Sequence, residues 1–165
     1  MKRIGLISDN HGYFGEDIMK YLQEVDEVWH AGDIGNYESI VPIIEEKPFR
    51  AVYGNIDSGK IRTEFPLNLE FSCDGVKVFM THIGGYPGRY RKRVKDILAE
   101  IKPDLYICGH SHICKVMYDD SLSLLHMNPG AYGRHGWHKI RTILRFSCDA
   151  GEIKNAEVIE LGKRY

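Results

Sequence analysis

The chain has 165 residues, 27% of them charged, and a formal net charge of −1. That length suits one domain over residues 1–165 with a substantial core, and the charge balance leaves no overall basic footprint of the kind that long nucleic acid requires. The apolar run Ile4-Gly5-Leu6-Ile7 stops at Ser8-Asp9, too short for a signal-peptide core, and no later stretch approaches a membrane span, so a soluble cytoplasmic protein with no membrane partner is expected.

Arg3 to Ile7 reads as the first strand. Phe14, Ile18, Tyr21, Leu22 and Val25 then recur at helical spacing, and Val28 to Ala31 resumes as a strand with Asp33 just beyond its end. A second helix is expected within Asn36 to Glu46, with Pro42 in its first turn or at a break. Phe49 to Tyr53 supplies a third strand. Leu67 to Cys73 and Val76 to Thr81 flank Asp74-Gly75, a hairpin signal because glycine accepts the positive φ of a tight turn. Tyr90, Val94, Ile97, Leu98 and Ile101 form a helical stripe closed by Pro103, and Leu105 to Cys108 is a further strand. Cys114 to Tyr118, Leu122 to Met127, Arg141 to Cys148 and Ile153 to Leu161 read as antiparallel strands. The first half therefore predicts β-α-β units and a largely parallel sheet. Cys73, Cys108, Cys114 and Cys148 show no Cys-x-x-Cys spacing and read as buried, reduced thiols.

Seven side chains able to bind metal follow these strands: Asp9, His11, Asp33, Asn55, His82, His110 and His112. Each local signature, such as Gly32-Asp33 or Gly54-Asn55, is weak alone, and the order of all of them carries the inference. Alternate side chains of an extended segment point the same way, which predicts that Asp9 and His11 converge on one ion and that His110 and His112 face one cluster. A pair of ions roughly 3.5 to 4 Å apart needs a ligand that spans both, and Asp33 is the candidate. Asp9, His11, Asp33 and His112 are assigned to the first ion, and Asp33, Asn55, His82 and His110 to the second. Glycines 12, 32, 54 and 109 would let the backbone turn sharply beside them.

These residues, together with the late turn Asn128-Pro129-Gly130, resemble the calcineurin-like metallophosphoesterases, in particular their small single-domain prokaryotic branch of phosphodiesterases, over nearly the whole chain. The resemblance implies an α/β fold, a β-sandwich of two mixed sheets flanked by helices in α-β-β-α layers. It implies hydrolysis of phosphoesters, often phosphodiesters, with two divalent metal ions, Mn first and Ni, Fe, Zn or Mg as alternatives. Nitrogen and oxygen ligands without thiolate agree with that set but do not rank it. The expected reaction is attack on phosphorus by water activated on the two ions, most readily on a small-molecule phosphodiester. A phosphomonoesterase is the nearer alternative. The same fold also serves as a retromer coat subunit with a degenerate site, so a binding scaffold is the alternative of another class.

Two positions depart from the family. Relatives often carry His after the asparagine of the Gly-Asn turn, where it can protonate a leaving group, or Cys in the small prokaryotic branch; here the residue is Ile56. Gly often follows the histidine of Thr81-His82, and here it is Ile83. Asp57 reads as a residue that orients a ligand or a loop. Arg89, Arg91, Lys92, Arg93 and Lys95 crowd the start of a predicted helix, where they oppose its dipole. They read as a solvated face, or, more sharply, Arg89 and Arg91 offer cations to a second phosphate or carboxylate of the substrate. Tyr132, Arg134, His135, Trp137 and His138 read as core edge or subunit contact, consistent with a possible homo-oligomer, or as a stacking platform for a nucleobase. His30 and His126 fall within strands and read as structural.

Overall fold

A computed structural model describes residues 1–165. One sheet runs β10-β9-β1-β2-β3, from strands β1 (Lys2–Ile7), β2 (Glu27–His30), β3 (Phe49–Ala51), β9 (Ile140–Asp149) and β10 (Glu152–Lys163). Its β1, β2 and β3 are parallel, and β9 returns antiparallel beside β1. The other sheet runs β4-β5-β6-β8-β7, from β4 (Asn68–Cys73), β5 (Val76–Thr81), β6 (Leu105–Ile107), β7 (Cys114–Asp119) and β8 (Leu124–Pro129).

Alternation along the strands decides what each face buries. Ile4, Leu6, Trp29 and Val52 of the first sheet and its loops meet Val78, Met80, Ile107 and Met127 of the second in a shared core. The outer face of the first sheet, including Ile7, Val28 and Ile143, packs on the segment of α1 (Met19–Leu22) and on Ile43 of α2 (Val41–Glu46). Phe79, Tyr106 and Leu124 on the outer face of the second sheet receive Val94 and Leu98 of α4 (Lys92–Ile101). The layers are α-β-β-α, as expected.

Three elements differ from the sequence reading. The first helix shrinks to a 3-10 turn, Glu16–Ile18, running into one turn of α1, because Gly15 enters it in the left-handed region at φ 68° and β2 must already begin at Glu27. A short helix, α3 (Lys60–Glu64), was not expected; its apolar period is a single buried residue, Ile61, packed on Ile34, Ile40 and Ala51. Finally, β8 is antiparallel to β7 but parallel to β6, so this strand inserts between them rather than continuing an antiparallel run. Pro42 sits in the first turn of α2, where its missing N–H has no helical partner to lose.

The topology sends β1, β2 and β3 of one sheet and β5, β6 and β8 of the other to their carboxyl ends. The loops that leave those ends carry the functional candidates, the usual position on sheets of this kind.

Candidate metal centre

Each predicted ligand follows a strand end: Asp9 and His11 after β1, Asp33 after β2, Asn55 after β3, His82 after β5, and His110 and His112 after β6. Backbone hydrogen bonds lace these loops together. Asp9 N donates to Gly32 O at 3.0 Å, His11 N to Asp33 O at 3.1 Å, and Gly109 N to His82 O at 3.0 Å.

The backbone conformation corrects the expectation of extended alternation. Asp9, His11, Asp33, His110 and His112 all lie in the left-handed region, at φ between 46° and 70°. They are half of the ten non-glycine residues with positive φ. Asp9 and His11 therefore join one donor group, and His110 and His112 two neighbouring ones, through pairs of left-handed residues and not through a continuing strand. The left-handed region costs an L-residue about 1–2 kcal/mol, and such strain concentrates where function fixes a side chain.

The two aspartates are each anchored by one oxygen. Asp9 Oδ2 accepts from Ser8 Oγ at 2.6 Å and from His110 N at 3.1 Å. Its Oδ1 faces three imidazoles, with Nε2 of His112 at 3.2 Å, of His82 at 3.8 Å and of His11 at 3.9 Å. Asp33 Oδ1 accepts from Ile56 N at 3.1 Å. Its Oδ2 lies between two histidines, 3.1 Å from His82 Nε2 and 3.4 Å from His11 Nε2.

These atoms form two groups, Asp9 with His11 and His112, and Asp33 with His82 and His110, and within each group the donor atoms lie within 4.8 Å of one another. Asp9 Oδ1, His11 Nε2 and His82 Nε2 are buried and have no hydrogen-bond partner. Leaving buried polar atoms unpaired costs about 1–3 kcal/mol each, so three of them converging is the arrangement a cation resolves. The donor set thus fits divalent metal. Asn55 is exposed and shares the wall of a cleft with His82.

Electrostatics keeps most donors ready. Burial lowers the pKa of His11 and of His110, favouring neutral imidazoles, against the opposing pull of Asp9 and Asp33. Burial also pushes His82 down, but the close Asp33 carboxylate, joined by Asp9, pushes up by more. For Asp33, burial acts upward and is outweighed by His82, Ile56 N–H and His11, which hold the carboxyl low.

Surrounding groups fix these positions. Asp57 is buried and accepts from Ile34 N at 3.2 Å, Gly35 N at 2.7 Å and Gly54 N at 2.7 Å. It ties the loop after β2 to the turn after β3. Gly54 and Gly109 matter through what they lack. A Cβ on Gly54 would overlap Asp33 Oδ1, and one on Gly109 would overlap Ser8 Oγ and Asp9 Oδ2. His30 is fully buried and neutral, its pKa lowered by burial to about 4; Nε2 meets Asn10 Oδ1 at 2.9 Å, and Nδ1 accepts from Gly32 N at 3.0 Å. It is structural as expected, and it holds the turn that carries Asp33.

Sequence reasoning missed several contributors. His135 stacks on His11 with ring centroids 4.6 Å apart, and His138 packs edge-on against His112 at 5.1 Å. The segment read as core edge or stacking platform therefore divides: Tyr132 is fully buried, Trp137 is 98% exposed, and the two histidines back predicted ligands. Asn128 donates from Nδ2 to Gly109 O at 3.0 Å and to Ser111 Oγ at 3.1 Å, bracing the His110 loop. Its place in the Asn-Pro-Gly turn was the available signal. Of the basic pair, Arg91 lines the clefts on both sides of the centre, whereas exposed Arg89 lines neither. Both precede α4, whose first turn is helped by the Lys92–Asp96 ion pair at 3.0 Å.

A profile of the calcineurin-like phosphoesterase superfamily domain matches residues 1–151. A probable metallophosphoesterase of Methanothermobacter thermautotrophicus is 26% identical over 133 residues, covering 78% of this chain and 76% of that protein. Among solved structures, a novel archaeal phosphodiesterase aligns with a TM-score of 0.73 at 24% identity, over 95% of this chain and 99% of the other. A predicted phosphoesterase of Streptococcus pneumoniae gives 0.72 at 21% identity, over 97% and 90%. Vps29 of Chaetomium thermophilum gives 0.77 at 12% identity, over 97% of both chains, a likeness of fold alone. With its profile match spanning most of the sequence and its paired donor groups at the strand ends, the chain belongs to the calcineurin-like phosphoesterase superfamily.

Proposed function

We propose that this protein is a dinuclear metal-dependent phosphodiesterase acting on a small molecule. The observation that supports it best is the position of Asp33 Oδ2, which lies between His11 Nε2 of one donor group and His82 Nε2 of the other. One carboxylate oxygen there would serve both groups. Asp9, His11, Asp33 and His112 would hold one ion, and Asp33, Asn55, His82 and His110 the other, with Mn preferred and Ni, Fe, Zn or Mg able to substitute. Bound ions would supply Lewis acidity and lower the pKa of water from near 15.7 toward about 7.

The chain's own residues set the rest of the chemistry. Only two carboxylates, Asp9 and Asp33, oppose two divalent charges, because Asn55 and the histidines bind as neutral ligands. With both ions bound the pocket would stay cationic, attract an anionic ester and stabilise the charge that develops on phosphoryl oxygens. Ile56, next to Asn55, donates its backbone N–H to Asp33 Oδ1 at 3.1 Å and has no side-chain proton to offer a leaving group. Esters with good leaving groups should therefore react best. No helix is long and apolar enough to cross a membrane.

The test is a metal-reconstituted activity panel on aryl monoesters, aryl diesters and cyclic nucleotides. The reading expects diester turnover that chelation abolishes and Mn or Ni restores. Metal-independent turnover by Asp33→Ala would sink it, and binding of a partner without turnover of any phosphoester would favour the scaffold alternative.

A further inference from the structure

Beside the metal centre lies a cleft of about 590 Å3 whose wall includes Asn55 and His82, and around it stand Arg62, Arg91 and Arg93. The volume is that of an ordinary small-molecule site. No carboxylate lines it. Three guanidiniums sharing one cleft repel each other, and here no acid relieves them: Arg3, Arg50, Arg141 and Arg145 pair with Asp or Glu, whereas Arg62, Arg91 and Arg93 have no such partner.

The cluster is nevertheless held in place by neutral groups. Arg93 donates to Asn68 Oδ1 at 3.0 Å and to Thr81 Oγ1 at 3.2 Å, beside His82. Arg62 donates through Nε to Asp57 O, and its guanidinium lies 4.5 Å from the centroid of the Tyr53 ring. Arg91 is fixed through its backbone, which donates to Gly84 O at 2.9 Å, while its side chain stands free between the two clefts that flank the centre. A guanidinium carries five donors, so each retains several for a ligand. Planar forks of this kind match phosphate oxygens and are matched less well by any other common anion except carboxylate. Against a chain charge of −1, the concentration is local.

A diester held at the metal pair carries one negative charge on the reacting phosphate, which the metal pair itself would attract. The arginines, outside that pair, call for charge elsewhere on the substrate. Resting on the phosphodiesterase reading, we propose that the natural substrate carries a second phosphoryl group, bound by Arg62, Arg91 and Arg93 while the first lies on the metal centre. Arg91 and Arg62 are specificity-determining residues, and Arg93 both binds and braces the strand end that presents His82.

Two p-nitrophenyl diesters that differ by one phosphate test this directly: thymidine 5′-(p-nitrophenyl phosphate) and its 3′-phosphorylated counterpart, assayed with Mn-reconstituted protein. The 3′-phosphorylated ester should show a KM at least ~10-fold lower with similar kcat, the signature of uniform binding, and Arg91→Gln or Arg62→Gln should bring that ratio toward one. A wild-type ratio near one overturns the proposal, as does a ratio unmoved by both variants. If neither ester reacts with any metal, the hydrolase reading fails, and calorimetric titration of metal-free protein with pyrophosphate still decides the arginine site. Binding weakened ~10-fold by Arg91→Gln supports it; no binding, or binding indifferent to the variant, overturns it.

Discussion

His82 Nδ1 lies 2.7 Å from the carbonyl oxygen of Ala31, a bond that joins the carboxyl end of β5 in one sheet to the end of β2 in the other. A carbonyl can only accept, so Nδ1 carries the hydrogen, and in the neutral ring Nε2 is a lone pair aimed at Asp33 Oδ2, 3.1 Å away. Lone pair against carboxylate is unfavourable until a cation stands between them, either the proton that Asp33 favours on this ring or a metal ion that replaces it. Metal should therefore stabilise the fold through this contact: at about 100 times its Kd, Mn should add roughly 2.7 kcal/mol to the unfolding free energy. Urea denaturation with Mn and with chelator measures the difference, and His82→Ala should remove most of it. Equal stability with and without metal would contradict the assignment.

Gly54 offers a second check on the bridge. Its missing side chain leaves the space that Asp33 Oδ1 and Asp33 N crowd, at 2.0 and 2.4 Å from where a Cβ would stand, so Gly54→Ala must displace Asp33 without removing any candidate ligand. Loss of such support around a metal ligand typically lowers affinity 10–100-fold. Calorimetric titration of Mn into the variant should show a loss on the order of that range, with the circular dichroism of the fold retained. Unchanged affinity would mean that Asp33 holds no metal.

The left-handed backbone predicts an inversion of the usual ranking of glycine and alanine. His110 is exposed at φ 70°, and its backbone N–H bond to Asp9 Oδ2 does not depend on the side chain. Alanine there carries the left-handed penalty, glycine only its greater unfolded-state entropy. In metal-free protein His110→Gly should be more stable than His110→Ala by about 1 kcal/mol, read from urea midpoints. Alanine as the more stable variant would show that the loop relaxes out of this conformation.

What was legible in the sequence was which candidate ligands come together, because ion-binding chemistry restricts residue type and the strand ends are marked by apolar runs. The division of Asp9, His11 and His112 from Asp33, His82 and His110 matches the donor groups of the fold. The means of convergence was not legible, since nothing in Asp-Asn-His or His-Ser-His distinguishes alternation from two left-handed residues. Nor were His135 and His138, whose contacts with His11 and His112 span more than a hundred and more than twenty residues and leave no periodic trace. Arg62 was hidden in the same way, within α3, a helix too short to have a period.

Ile56 predicts a leaving-group preference that a single change should relax. It is 42% exposed beside Asn55 and contributes only its backbone to Asp33, so Ile56→His places an imidazole there without disturbing that bond. Proton donation to a leaving group contributes typically 10²–10⁴-fold. Turnover of an alkyl phosphodiester should rise by roughly 100-fold in the variant, and that of a p-nitrophenyl diester by far less. An equal rise for both esters would place the new histidine in some other role.

Acid should destabilise the metal-free fold through two buried imidazoles rather than through its surface. Burial lowers both His30 and His126 to about 4. In His30 the reason is explicit: Nδ1 accepts the N–H of Gly32, and a proton there would set two donors against each other. In the unfolded chain both rings titrate near 6.5, so between pH 6.5 and about 4 the unfolded state binds protons that the folded state refuses. Stability is then complete above pH 6.5 and falls as pH drops through that window. A fall from 6.5 to about 4 corresponds to roughly 3 kcal/mol for each ring. Urea midpoints in chelator from pH 7.5 to 4.5 should trace this loss. His126→Phe, which keeps a ring against Tyr106, now 4.9 Å from the imidazole centroid, should remove its share of the pH dependence, leaving that of His30 and of the less strongly lowered His11, His110 and His138. A slope in the variant equal to that of the wild type would move the acid sensitivity to other groups.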